Sequence, residues 1–149
     1  MKIGECCNRE VVTAEKDMSI AEVARLMREH HVGDLIVVEI QNGRNRPIGI
    51  VTDRDLVIEV LAQMVPIDGI RVSDVMSYEI TTVGENEELW ETLERMRTLG
   101  IRRMPVVDVS GMLVGIITLN DLMELMAEAM GHVASLIRRD ISKEARRRS

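Results

Sequence analysis

The sequence predicts an α+β fold in which two copies of a β-α-β-β-α unit cover one another, followed by a helical extension. Three observations carry this: an internal repeat, a switch between strand and helix periodicity inside each repeat, and an apolar seam that outruns the second repeat. Residues 3–39 align without gaps to residues 72–108 at a constant offset of 69, so that Thr13 meets Thr82 and Val37-Val38-Glu39 meets Val106-Val107-Asp108. From Gly49 onward the offset becomes 66, and GIVTDRDL (49–56) lies on GIITLNDL (115–122) with five of eight positions identical. The three additional residues fall in Gln41-Asn42-Gly43-Arg44-Asn45-Arg46-Pro47, a run of turn formers that accepts an insertion. The units occupy residues 1–64 and 72–130, joined by a linker at 65–71, and residues 131–149 form the extension.

Each unit opens with a short strand near Val11-Val12-Thr13 or Ile80-Thr81-Thr82. An amphipathic helix follows, with Ile20, Val23, Ala24 and Met27 at the spacing of one helical face, and with Asp17 and Asn86 as cap-type residues ahead of the two copies. Two β-branched runs come next, Leu35–Val38 with Ile48–Val51 and Met104–Val107 with Leu113–Ile117, each separated by turn signals and read as hairpins. A last helix begins near Asp53 or Leu119, the first copy ending before Pro66 and Gly69. A three-stranded sheet with helices on one side leaves an apolar face that its twin can cover, which is the physical reason for two copies. Beyond the second unit, Met123, Met126, Met130, Val133 and Ile137 form a seam that would pack on the body or on another copy. Gly131 within it costs about 1 kcal/mol relative to alanine.

Composition narrows the function classes. Among 149 residues, 46% are hydrophobic and 30% charged, as in globular proteins, and the first residues lack the apolar core of a signal peptide, so a cytoplasmic location away from membranes is expected. Only 1% are aromatic, which rules out stacking platforms for single-stranded nucleic acid, and a net charge of −6 opposes nucleic-acid binding by the body. Arg138, Arg139, Lys143, Arg146, Arg147 and Arg148 oppose Asp140 and Glu144, so this tail is +4 and the rest of the chain −10. A frayed, solvated end is the ordinary reading of such a tail. Cys6-Cys7 and His30-His31 lack the spacing of a zinc site, and no nucleophile–base set or P-loop occurs, so no metal centre and no catalysis are expected.

The chemically informative spacing is Thr52-x-x-Asp55 and its copy Thr118-x-x-Asp121, each at a strand-to-helix junction. Two readings are open. A helix start offers free N–H groups to a phosphate, with the Thr hydroxyl as a further donor and the Asp as acceptor for ribose hydroxyls. The same spacing is also a capping box, which needs no ligand.

The order VSDVMS, a helix, IRRMPVVD and GIITLNDL, with IGECCN, VGDLIVVE and GIVTDRDL in the first half, resembles the CBS (cystathionine-β-synthase-type) motif from about Ile3 to about Met130. The tandem pair is similar to a Bateman module, whose pseudo-twofold packing makes two ligand clefts. The resemblance implies that the Thr meets a phosphate and the Asp a ribose diol, with Asn120 beside them and Ile116 and Ile50 on the strands leading in. It places the base against Thr13, Met18 and Val32 for the Thr118–Asp121 half, and against Thr82, Glu87 and Ile101 for the Thr52–Asp55 half. Arg102 is the expected phosphate ligand, and the aligned Gly33 and Asp34 supply no cation, so the cleft of Thr118, Asn120 and Asp121 is expected to bind phosphates better. The implied function is a non-catalytic sensor of AMP, ADP, ATP or a related adenosyl compound, acting as a homodimer or on an effector protein, with no required cofactor. The alternative is a structural module that dimerises without a nucleotide.

Overall fold

Strand formers and amphipathic segments fall into two equivalent sheets in the computed structural model, which describes residues 1–149. The first half holds α1 (Ile3–Cys6), β1 (Thr13–Glu15), α2 (Ile20–His30), β2 (Asp34–Gln41), β3 (Arg44–Thr52) and α3 (Asp53–Asp55), which continues as a π-helical turn over Leu56–Leu61. The second half repeats this with α4 (Val72–Val75), β4 (Val83–Gly84), α5 (Leu89–Leu99), β5 (Arg103–Val107), β6 (Leu113–Thr118) and α6 (Leu119–Arg148). Both sheets have the order first–second–third strand, parallel then antiparallel, and both hairpins carry a register irregularity at equivalent places, Val37/Val38 and Val106/Val107.

The first strand of each unit lies two to three residues later than Val11–Thr13 and Ile80–Thr82 suggest. Pairing begins at Thr13 in the first unit and at Val83 in the second, where the equivalent residues Ala14 and Val83 are buried, while Val11 and Ile80 pack between the units. The caps also differ from expectation. Ser19, not Asp17, caps α2, its hydroxyl accepting from the Glu22 N–H at 3.2 Å while the Glu22 carboxylate accepts from the Ser19 N–H at 3.1 Å. Glu88, not Asn86, precedes α5, without a side-chain cap. Asp17 instead gives its carbonyl to the Arg71 guanidinium at 2.6 Å, because the chain still turns at that point before the helix starts.

Two short helices not anticipated from the sequence, α1 and α4, exchange between the units. Ile3 is fully buried in the second core with Val83, Met96, Met104 and Ile117, and Val72 and Met76 are buried in the first with Val23, Leu35 and Val51. Equivalent backbone bridges fix the exchange, Asn8 with Ile116 and Ser77 with Ile50. The glycines preceding these strand residues permit the approach: a Cβ on Gly49 would lie 2.6 Å from the Ser77 carbonyl oxygen, and one on Gly115 2.7 Å from Cys7 Sγ. Between the units, Ile36, Val38 and Ile116 form a third apolar cluster, joined by Val11, Ile50 and Ile80. The seam of α6 does not fold back on the body; from Met126 onward every residue is exposed. No helix is long and apolar enough to cross a membrane.

Candidate functional site

The two strand-to-helix junctions are built alike. Thr118 caps α6, its hydroxyl accepting from the Asp121 N–H at 3.2 Å, while Asp121 Oδ2 accepts from the Thr118 N–H at 2.8 Å and from the Thr118 hydroxyl at 2.7 Å. Thr52 and Asp55 form the same reciprocal pair at 3.1 and 2.8 Å. The capping box is therefore made at both sites. It engages Asp121 through Oδ2, and Oδ1 takes part in none of these bonds. The box stiffens the helix start and holds the carboxylate at the end of a cleft.

That cleft has a volume of about 300 Å³ and runs between the units. One wall is Ile116, Thr118, Asn120 and Asp121; the other is Asn8, Glu10, Val11 and Val12 with Val32, Gly33 and Asp34. A second cleft, of about 240 Å³, is its pseudo-symmetric counterpart: Ile50 on one side, and Glu79, Ile80, Thr81, Ile101, Arg102, Arg103 and Pro105 on the other. The offset of 69 converts Glu10-Val11-Val12 into Glu79-Ile80-Thr81 and Val32-Gly33-Asp34 into Ile101-Arg102-Arg103.

Of the candidates, Val32, Ile116, Thr118, Asn120 and Asp121 meet in the first cleft, and Ile50, Ile101 and Arg102 in the second. Arg102 is thus on the opposite cleft from Thr118 and Asp121, which corrects their expected grouping. Each cleft sets one unit's stretch against the other unit's third strand, Val32-Gly33-Asp34 against Ile116 and Thr118 and Ile101-Arg102-Arg103 against Ile50, and no alignment of one repeat on the other displays that facing. Thr13, Met18, Thr82, Thr52 and Asp55 do not line either cavity. Thr13 is engaged opposite Ile36 in the first sheet, and Met18 packs against the first core. The Thr82 carbonyl accepts from Arg95, whose guanidinium also pairs with Glu87 at 2.7 Å. Asn8, Glu10, Val11, Val12 and Glu79 were missed as wall residues, and their signal is position: each lies just after an exchanged short helix, where the chain crosses between units.

The clefts differ in charge. The first presents three carboxylates, Glu10, Asp34 and Asp121, and no cation; the second presents Arg102 and Arg103 against Glu79. Asp34 and Arg103 are ion-paired to each other across the boundary. Burial pushes the Asp34 carboxyl above the usual aspartate range, opposed by Arg103 and aided by the nearby Asp53 charge. Cys6 and Cys7 are free thiols whose pKa values burial raises, and they lie near the root of α6. No cluster of His, Cys, Asp and Glu side chains is arranged to hold a metal ion.

Two copies of one unit, exchanged leading helices, two equivalent T-x-x-D junctions and paired clefts between the units agree with the family model for the CBS domain, which matches residues 3–62 and 72–128. The chain belongs to the CBS domain family. As a tandem CBS pair it is 39% identical over 114 residues to the CBS domain-containing protein YhcV of Bacillus subtilis, covering 76% of each chain. It is also 39% identical over 125 residues to a protein of Methanopyrus kandleri, covering 84% of this chain and spanning 62% of that relative's length. Among solved structures, a CBS domain pair in complex with 5′-methylthioadenosine and S-adenosyl-L-methionine superposes with a TM-score of 0.72 at 25% identity, covering 87% of this chain and 98% of that one.

Proposed function

We propose that this CBS pair is a non-catalytic regulatory module that binds adenosyl ligands in its two clefts, with a different charge class in each. The carrying observation is the pair of equivalent clefts with opposite electrostatics. With Asp34 paired to Arg103, the Glu10 and Asp121 carboxylates and the absence of a cation on this wall disfavour phosphate and suit an uncharged or cationic adenosyl compound, its ribose hydroxyls donating to Asp121 Oδ1. The second cleft offers the Arg102 guanidinium, beside that of Arg103 which is paired to Asp34, and its planar fork suits the phosphates of AMP, ADP or ATP. The relative that was solved with 5′-methylthioadenosine and S-adenosyl-L-methionine supports the adenosyl part of this reading.

Titration calorimetry with 5′-methylthioadenosine, S-adenosylmethionine, AMP and ATP tests it. Heat with an adenosyl thioether or sulfonium that is lost in Asp121→Ala is expected, as is AMP or ATP binding that is lost in Arg102→Ala. Absence of heat with all four compounds rejects the sensor reading.

A second reading, a dimer that functions without a nucleotide, has its own observation. An entirely apolar groove of about 470 Å³ is lined by Ile20, Ala24, Leu56, Val57, Val60, Leu61, Met64, Val65 and Ile67, of which Leu61 and Met64 are largely exposed. Such a surface calls for a covering partner. The two readings are compatible, since ligand occupancy between units can bias the geometry of a dimer. Sedimentation with and without ligand separates them: a ligand-independent dimer with no calorimetric signal leaves only the structural role.

A further inference from the structure

Helix α6 carries an unpartnered apolar stripe of Met123, Met126, Met130, Val133, Ile137 and Ile141 at steps of three and four residues, with Met130 69%, Val133 51% and Ile137 58% exposed. From Met126 to Arg148 the helix stands clear of the body for about 33 Å. An isolated helix of this kind is marginal in water, and helical segments ordinarily gain their stability by covering one face.

Charge along the helix says what covers it. Its first half, Leu119 to Gly131, holds Asp121, Glu124 and Glu128 and no cation. Its last part, from Arg138 onward, is the +4 segment. At the root of the helix, Glu5, Asp121, Glu124 and Glu128 line a groove of about 270 Å³ together with Cys6 and Cys7. A parallel pair of such helices sets carboxylates against carboxylates and guanidiniums against guanidiniums. An antiparallel pair sets each basic half against the other copy's acidic half and its acidic groove.

We infer that α6 pairs antiparallel with α6 of a second copy of this chain, in the register that opposes Met126 to Ile137 and Met130 to Val133. In this register the four-three-four spacing of Met126, Met130, Val133 and Ile137 superposes on its own reverse, and the basic segment meets the acidic one. Four apolar layers result, since each opposition occurs twice about the twofold axis. It brings Arg138 and Arg139 of the second copy alongside Glu124 and the acidic groove. Exposed pairs of this type are individually weak, so the apolar layers supply the attraction and the charges select the orientation. The inference rests on the dimer proposed above and adds its helix orientation.

The experiment uses the full-length chain in two variants that each add one exposed cysteine, Met126→Cys and Ile137→Cys, mixed in equal amounts and oxidised. Cross-links are mapped by peptide mass so that Cys6 and Cys7 stay in place, and sedimentation reports the mass. A dimer in which residue 126 of one copy is linked to residue 137 of the other is expected, in preference to 126–126 and 137–137 links. Reversal of Glu124 to Arg is expected to weaken dimerisation by about two- to tenfold, with recovery on adding Arg138→Glu and Arg139→Glu. A dimer with only like-to-like links, or with none through α6, overturns the antiparallel helix and leaves the dimer standing. A chain that stays monomeric overturns both, and a monomer retained on nucleic acid through residues 138–149 assigns the stripe and tail to that other partner.

Discussion

Asp34 and Arg103 occupy equivalent positions in the two repeats, 69 residues apart, and are ion-paired to each other. Two equivalent groups can touch only where the pseudo-twofold axis passes, so this pair marks the axis. It also joins the clefts, because Asp34 lines one and Arg103 the other. Both side chains are about three-quarters to two-thirds buried, with 23% and 33% exposed. Each is the first residue of its hairpin's leading strand, Asp34 of β2 and Arg103 of β5.

Because the positions are equivalent, exchanging the two charges should preserve the bond. Asp34→Ala or Arg103→Ala is expected to lower stability by about 1–2 kcal/mol, by leaving a partly buried charge without its partner. The exchanged pair Asp34→Arg with Arg103→Asp should recover more than half of that loss. Urea denaturation of the four proteins in a double-mutant cycle measures the coupling. A swapped protein no more stable than the worse single variant would show that the axis position does not treat the two residues alike.

The raised Asp34 pKa has a defined consequence for pH dependence. Between the ordinary aspartate value and its own higher one, the folded chain binds a proton that the unfolded chain has released. Stability contributed by this group is therefore highest below the unfolded pKa and falls as pH rises through the folded pKa. Glu88 and Asp108, held below their ordinary values by hydrogen bonds from Lys2 and Arg44, act in the other direction, losing their contribution as pH falls. Subtracting the pH–stability curve of Asp34→Asn from that of the parent isolates the first effect. The difference should slope downward with rising pH above about 4, and a flat difference would remove Asp34 from the pH dependence.

Three glycines should respond to alanine with different signs. At Gly49 and Gly115 the added methyl meets the exchanged segment at 2.6 and 2.7 Å, and a loss of about 1–3 kcal/mol is expected from the forced shift. At Gly131, within α6, nothing lies within 4 Å, and alanine should stabilise the helix by about 1 kcal/mol. Thermal unfolding of the three variants reads this directly. Equal effects at Gly49 and Gly131 would be incompatible with the close approach of Ser77.

The junction at Thr118 permits stability and binding to be separated. Asp121→Asn keeps a side-chain oxygen for the Thr118 N–H, while Asp121→Ala removes it, so the alanine variant should lose about 0.5–2 kcal/mol of stability and the asparagine variant less. Both give up the carboxylate, and adenosyl binding in that cleft should fall by about tenfold or more in each. If affinity follows stability from one variant to the other, Asp121 acts only as a cap.

Arg102→Ala should weaken AMP or ATP while leaving 5′-methylthioadenosine unchanged, because the two ligands are assigned to clefts of opposite charge. Competition calorimetry with both compounds distinguishes this from a single shared site, in which one ligand would displace the other.

The repeat, the order of strands and helices, the hairpins and the T-x-x-D junctions all follow from local pattern: apolar alternation, helical spacing and capping chemistry act over a few residues and are written in consecutive positions. The sequence also displays the polar asymmetry between Gly33-Asp34 and Arg102-Arg103. Which cleft each of those pairs serves was decided only by tertiary structure. The exchange of α1 and α4 places Ile3 in the second core and Val72 in the first, and so carries the residues that follow each helix across the boundary between units. Burial of two apolar anchors in opposite cores is a long-range balance with no local signature; Arg102 stays at the edge of its own sheet, its carbonyl accepting from the Leu119 N–H at 2.8 Å, and lines the other cleft. The same distinction holds at the end of the chain. Spacing alone reveals the apolar seam of α6, whereas its full exposure beyond Met126, and hence its need for a partner, depends on where the body stops.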